Sequence, residues 1–231
     1  MNRTLDVTTS VLVSVARLGT GGAVGKLGAR PEKLLELYEF EACPFCRKVR
    51  EALSILDLEV KVLPCPKGGE RFRSSLIKRG GKALFPYLVD PNTGVEMYES
   101  SDIVRYLFSE YGDGSVPLML GMGPLTDISS IFSGMSRGTA GSRVTPSREP
   151  DKPLELVSFE ASPFSRLVRE TLCSLEIPYL LRNVAKGSPS REAFVERSGK
   201  MMVPWLKDPN TGVEMFESSD IVDYLIDQYA S

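Results

Sequence analysis

The run Asp90 to Val104 (DPNTGVEMYESSDIV) returns as Asp208 to Val222 with a single change, Tyr98 becoming Phe216. Leu37 to Arg47 (LYEFEACPFCR) likewise returns as Leu156 to Arg166 (LVSFEASPFSR). The preceding segments match more loosely, LDVTTSVLVSVARLGTGG from Leu5 to Gly22 answering LTDISSIFSGMSRGTAG from Leu125 to Gly141. Self-similarity at this level is a duplication, so the 231 residues must fold as two copies of one small unit rather than as one large domain. The expected division is a helical, Gly-rich arm over 1–33, a compact domain over 34–112, a second arm over 113–153 and a second domain over 154–231.

The hydrophobic period changes within each unit. Leu35, Leu37 and Phe40 fit a short strand, and Val49, Ala52, Leu53 and Leu56 then follow the i, i+3, i+4, i+7 stripe of an amphipathic helix. Val168, Thr171, Leu172 and Leu175 repeat that stripe. A strand follows at Val60 to Leu63, then a turn at Pro64-Cys-Pro-Lys-Gly-Gly and a polar helix near Glu70 to Arg79. Two short strands, Pro86 to Val89 and Val95 to Tyr98, flank the turn-forming Asp90-Pro-Asn-Thr-Gly. A final helix is expected from about Ser101 to Tyr111. The order is β-α-β-α-β-β-α, an α/β unit made twice.

Cys43-Pro-Phe-Cys46 lies where the first strand meets the first helix. Helix-start amides and the helix dipole lower a thiol's pKa, and Arg47, Lys48 and Arg50 are expected to add positive charge nearby. Cys43 is the expected thiolate, with Cys46 one turn behind it. The same pair could be half a zinc site or two packed small residues, but a zinc site needs about four ligands and the chain has no histidine. Cys65, on an expected loop, reads as passive or as a resolving or glutathionylated thiol, and Cys173 as packing. Tyr38 reads as core. The basic run from Lys67 to Arg79, mixed with Glu70, reads as a solvated face.

A net charge of −2, with 42% hydrophobic and 25% charged residues, gives no global attraction to nucleic acid or anionic membrane. No run approaches the roughly 20 apolar residues of a membrane span. The apolar stretch Val11 to Ala16 superficially resembles a secretory leader, but the recurrence of a similar arm inside the chain argues against cleavage. Few, irregularly spaced cysteines suit a reducing compartment, either a bacterial cytoplasm or a plastid stroma.

With its cysteine pair at the first strand-to-helix junction, the unit resembles the thioredoxin-like fold of glutaredoxins and of the N-terminal, glutathione-binding domain of glutathione transferases. Cys-Pro-Phe-Cys is similar to the glutaredoxin motif, and Glu99-Ser-Ser-Asp-Ile resembles the transferase Glu-Ser-x-x-Ile signature. The chain as a whole resembles proteins with tandem transferase N-terminal domains and no all-helical C-terminal domain. The resemblance implies that Phe85-Pro86 and Val203-Pro204 carry a cis-proline, and that the main chains of Phe85 and Val203 pair with the cysteinyl part of glutathione. It also implies that Ser100 and Ser101 hold the γ-glutamyl carboxylate, with Glu99 or Asp102 at the ammonium group. In the second unit Glu217, Ser218, Ser219 and Asp220 occupy those places, and Ser162 is expected to face the glutathione sulfur. A strand-opening proline and an ordinary helix start are the plainer readings of these motifs.

The expected function is glutathione-dependent thiol–disulfide exchange. Cys43 attacks a disulfide or glutathionylated substrate, Cys46 or a second glutathione resolves it, and glutathione serves as co-substrate. The second unit, with Ser162 and Ser165 in place of the cysteines, is then a degenerate glutathione-binding unit. Alternatives are a glutathione transferase-like conjugating enzyme, a non-catalytic glutathione-binding scaffold, and an iron–sulfur cluster at Cys43. No resident metal, nucleic acid or membrane partner is expected, and a homodimer is left open.

Overall fold

The computed structural model describes residues 20–121 and 141–231. The helical parts expected of the two arms fall largely on 1–19 and 122–140 and lie outside the described residues. The first unit runs β1 (Leu35–Glu39), α1 (Pro44–Ile55), β2 (Val60–Pro64), α2 (Arg73–Gly80), β3 (Tyr87–Asp90), β4 (Val95–Met97) and α3 (Ser100–Tyr111). After a short helix α4 (Leu118–Gly121) the order repeats as β5 (Leu154–Ser158), α5 (Pro163–Ser174), β6 (Tyr179–Asn183), α6 (Ser190–Ser198), β7 (Trp205–Asp208), β8 (Val213–Phe216) and α7 (Ser218–Tyr229). Both units are thioredoxin-like.

Local chemistry sets the element boundaries. Proline opens α1 and α5, where its missing N–H costs nothing. Gly81 and Gly199, at φ +79° and +82°, stop α2 and α6. At the hairpin, Asp90 Oδ1 accepts from the Asn92 amide at 2.8 Å while its Oδ2 accepts from the hydroxyls of Tyr106 and Tyr111. Burial opposes this carboxylate, yet those hydrogen bonds hold its pKa below the ordinary value. Asp208 repeats the arrangement with Asn210, Tyr224 and Tyr229. Part of the most faithfully repeated stretch is therefore the post that pins the hairpin to the last helix.

The relative placement of the units was not legible in the sequence. Their sheets join into one, ordered β4-β3-β1-β2-β6-β5-β7-β8. Strands β2 and β6 pair antiparallel, with Val60 opposite Leu181, Lys61 opposite Leu180 and Val62 opposite Tyr179. Strands that would otherwise be open edges close each other. On one face, α1, α3, α5 and α7 share a continuous core that includes Leu37, Val62, Leu156 and Tyr179. On the other face two separate clusters remain, Tyr38, Leu63, Leu76 and Tyr87 by α2, and Val157, Val184, Phe194 and Trp205 by α6.

The described ends of the arms cross this seam. Val24 N donates to Lys186 O at 2.9 Å, and Val144 N donates to Lys67 O at 3.0 Å, so each arm is hydrogen-bonded to the other unit. Arg71 and Arg73 correct the expectation of a solvated basic face. Arg71 donates to Leu175 O and Glu176 O at 3.1 and 2.7 Å, and Arg73 to Cys65 O at 2.8 Å. Their guanidinium groups satisfy carbonyls left open at the end of α5 and after β2.

Candidate active site

The chain leaves β1 at Glu39 and turns back so that Cys43 N donates to Phe40 O at 3.0 Å, which sets Cys43 as the N-cap of α1. The amide of Cys46 donates to Cys43 Sγ at 3.3 Å. Hydrogen bonding from the Cys46 thiol and the Cys46 amide lowers the Cys43 pKa against the opposing effect of burial. Burial pushes Cys46 well above the ordinary thiol value. The pair is thus split into one thiol poised to ionise and one held neutral.

The source of that split differs from the sequence expectation. Arg47 and Arg50 are buried and committed elsewhere: Arg47 pairs with Glu51 at 3.2 Å, and Arg50 with Glu39, Glu41 and Glu160. Their charge is neutralised by carboxylates rather than lent to Cys43. Lys48 Nζ reaches across to α3, donating to Ser101 Oγ at 2.9 Å.

Two of the other expected site segments meet this region, Phe85 through Phe40 and Ser101 through Lys48. The Phe85-Pro86 bond is cis, the Phe85 ring lies edge-on to Phe40 at 5.8 Å, and the Arg73 guanidinium sits 4.8 Å from the Phe85 ring centre. Glu99 has φ +67°, uncommon for a non-glycine residue, and turns the chain into α3. Ser100 is buried and Ser101 half-buried, and their amides belong to the first turn, where no intrahelical acceptor exists. Asp102 is exposed and paired with Arg105.

The second unit keeps the backbone and changes the chemistry. Ser162 caps α5, accepting from Ser165 N at 3.2 Å, and Val203-Pro204 is cis. Glu217 has φ +69°, and Ser219 Oγ donates to Asp220 Oδ1 at 3.0 Å. Ser165 Oγ is buried with no hydrogen-bond partner, a cost of about 1–3 kcal/mol. Leu167 stands where the first unit has Lys48, and Ser158 where it has Glu39.

Sequence reasoning missed the buried ion network between the units. Arg50 and Arg169 from the two helices meet Glu41 and Glu160 from the two loops, with Glu39 as a fifth member on Arg50. The available signal was the repeated Phe-Glu-Ala, a carboxylate placed twice next to apolar strands. Cys65 is fully buried and its thiol is pushed up by desolvation, which accords with the passive reading. Cys173 is more than filler: its Sγ accepts from Glu41 N at 3.4 Å and donates to Gly141 O at 3.2 Å. None of the four cysteines is in a disulfide. Among the described residues, no cluster of three or more metal-ligating side chains is assembled. The grooves at the β2–β6 seam, bordered by Glu59, Arg182 and Ser190, include none of the expected site residues.

A pair of thioredoxin-like units, each with a cis-proline and a Glu-Ser-Ser helix start beside a capped helix, defines the class. The family described as glutathione S-transferase, N-terminal domain, matches residues 37–115 and 156–231, and the chain belongs to that family. A glutathione S-transferase-like protein of Beauveria bassiana, OpS6, is 30% identical over 78 residues. That match spans 34% of this chain and only 36% of the relative's own length. A solved structure of the trimeric glutathione transferase TDR1 of Leishmania aligns with 86% of this chain and 67% of its own, at 14% identity and a TM-score of 0.31.

Proposed function

We propose that the chain is a glutathione-dependent thiol–disulfide oxidoreductase in which Cys43 is the nucleophile. The observation that carries this reading is the placement of Cys43 at the N-cap of α1, its Sγ accepting from Cys46 N at 3.3 Å, with Cys46 fully buried one turn behind it. Cys43 sulfur attacks a disulfide or a glutathionylated thiol and forms a mixed disulfide. The displaced thiolate takes a proton from water. Cys46 or a second glutathione then closes the cycle. Family membership supports glutathione as the co-substrate.

In this reading the glutathione cysteinyl backbone lies against Phe85-Pro86. The γ-glutamyl carboxylate lies at the amides of Ser100 and Ser101, with Lys48 as the adjacent cation and Glu99 or Asp102 as the partner of the ammonium group. The second unit binds glutathione without exchange chemistry, since Ser162 occupies the cap in the same geometry as Cys43. Its ligand would contact Val203, Pro204, Glu217, Ser218 and Ser219. The test is turnover of a glutathione mixed disulfide coupled to glutathione reductase. Cys43→Ser is expected to abolish it, and Cys46→Ser to leave a monothiol route. Undiminished turnover in Cys43→Ser would sink the assignment.

A further inference from the structure

The two ends of the β2–β6 seam are related by the repeat but are not finished alike. After α5 the chain turns at Glu176, with φ +47°, and after α1 at its counterpart Asp57, with φ +52°. At the Glu176 end the loop that follows β2 closes over the turn. Arg71 N donates to Glu176 Oε1 at 3.1 Å, and the Arg71 guanidinium donates to Leu175 O and Glu176 O at 3.1 and 2.7 Å. At the Asp57 end the corresponding loop is Lys186-Gly187-Ser188-Pro189-Ser190, with proline after the small residue where the first unit has Glu70 and Arg71. Proline has no N–H to give. Arg30, from the arm, takes over the carbonyls, donating to Leu56 O and Asp57 O at 2.7 and 3.1 Å. The carboxylate of Asp57 receives no such replacement.

Asp57 is 8% exposed, and among the described residues nothing donates a hydrogen bond to its Oδ1. Burial raises its pKa above the ordinary value, against the opposing pull of Ser188, Arg30 and Ser190. Asn183 Nδ2 donates to the neighbouring Leu58 O at 2.5 Å, while the buried Asn183 Oδ1 also lacks a partner among the described residues. One corner of the seam therefore holds two buried acceptors short of N–H donors, which native proteins rarely leave so. A cleft of about 430 Å³ opens at this corner, lined by Arg30, Glu32, Lys33, Asp57, Arg182 and Ser190. A single water needs only about 10–15 Å³ of such space, so there is room for an organic molecule. Two of the lining cations are already engaged, Arg30 with carbonyls and Arg182 with Glu59. Among the described residues Glu32 and Lys33 have no ion pair, which leaves two carboxylates facing one ammonium group.

We propose that this cleft binds a small organic monocation carrying a primary ammonium or guanidinium group, whose N–H donates to Asp57 Oδ1. The ligand supplies to Asp57 what the Arg71 amide supplies to Glu176 at the other end of the seam. A charged donor on a buried carboxylate makes one of the stronger hydrogen bonds open to a small molecule. The carbon skeleton of the ligand lies against Leu34 and Pro189, which also line the cleft. None of the residues proposed for exchange or for glutathione binding takes part, so this site is independent of the oxidoreductase reading.

The test titrates the isotope-labelled full chain with butylammonium chloride and with methylguanidinium chloride, following backbone amides by nuclear magnetic resonance. Butyrate, matched in size, controls for the skeleton, and tetramethylammonium, a cation without N–H, controls for charge. Either N–H cation is expected to shift the amides of Asp57, Leu58 and Ser190 saturably, and neither control should. Asp57→Asn, a side chain tolerated in the left-handed region, should weaken binding at least about tenfold. No saturable shift with either cation, an equal response to tetramethylammonium, or undiminished affinity in Asp57→Asn overturns the proposal. Should that variant fail to fold, the wild type decides by location. Saturable shifts centred on Asp57 uphold the proposal, and shifts centred elsewhere overturn it.

Discussion

Glu41 in the loop of the first unit and Arg169 in the helix of the second are joined by two parallel hydrogen bonds of 3.1 Å, with both side chains about 1% exposed. Glu160 and Arg50 form the reciprocal pair. The loop amides cross in the same sense, Glu41 N donating to Cys173 Sγ and Glu160 N to Ser54 Oγ. Each helix-start loop thus lies against the last turn of the other unit's helix. Stripping water from such charges costs several kcal/mol per ion, and closed hydrogen bonding is what offsets it.

Breaking that closure should be expensive. Arg169→Met leaves Glu41 and Glu160 short of a partner and is expected to cost about 3–5 kcal/mol in urea unfolding. Adding Glu41→Gln removes one of the stranded charges and should recover part of the loss. A strictly additive double variant would mean that the two residues are not coupled.

The thiols should differ sharply in reactivity. On pH-dependent alkylation read by mass spectrometry, Cys43 is expected to react first, with a midpoint below the ordinary thiol value. Cys46, Cys65 and Cys173, all raised by burial, should stay protected until the protein unfolds. Comparable labelling of all four in native protein would contradict the structure.

Lys48 and Leu167 offer an internal comparison of the two proposed glutathione sites. Removing one cation beside a carboxylate, as in Lys48→Leu, should weaken glutathione binding to the first unit by about 1–2 kcal/mol, five- to thirtyfold. Leu167→Lys should strengthen the second. Calorimetric titration reads both, and equal affinities in wild type and Lys48→Leu would remove Lys48 from the site.

Glycine is required where an arm crosses the seam. At Gly141 the φ is +67°, and a Cβ would meet Glu41 Cβ at 3.0 Å and Glu170 Cα at 3.1 Å. Gly141→Ala should cost about 1–3 kcal/mol, visible as a lower thermal midpoint. At Gly21, whose Cβ would meet Glu160 Cβ at 3.1 Å and backbone only at 3.4 Å, the loss should be smaller.

Two carboxylates of the network give opposite pH dependences. Burial alone would raise Glu160, but Arg169, Arg50 and Arg47 outweigh it and hold the pKa at about 2. Its stabilisation is present above the ordinary value of 4.5 and fades as pH falls toward 2. Glu39, raised to about 7, binds its proton more tightly in the folded state, so its unfavourable contribution grows as pH rises from 4.5 to 7. Glu39→Gln removes that growth. Its stability relative to wild type should therefore climb by about 2 kcal/mol between about pH 5 and pH 8. A flat difference would show that Glu39 does not titrate there.

The elements of each unit were legible because local signals agreed: the Val49, Ala52, Leu53, Leu56 stripe, the proline after the cap, and the Asp90 turn. The capped Cys43 followed from a motif whose geometry is local, whereas the cis Phe85-Pro86 bond was implied by the family resemblance and not by the residues themselves. Arg47 and Arg50 were misread because a charge beside a cysteine in sequence says nothing about which carboxylate meets it in space. Glu160 lies 110 residues from Arg50, and the pairing of β2 with β6 leaves no mark in either strand beyond ordinary alternation. Cys65 illustrates the same limit, since Pro-Cys-Pro reads as a loop while tertiary packing covers it completely.

The shared eight-stranded sheet also changes what a single substitution can do. In an assembly of identical subunits any replacement appears on both sides of the symmetry axis at once, so losing a thiol silences every site. Here the halves are covalently one polymer yet separately encoded. One half can give up Cys and Glu for Ser158, Ser162 and Ser165 while still supplying the strand, the arm and the counter-ions on which its neighbour stands.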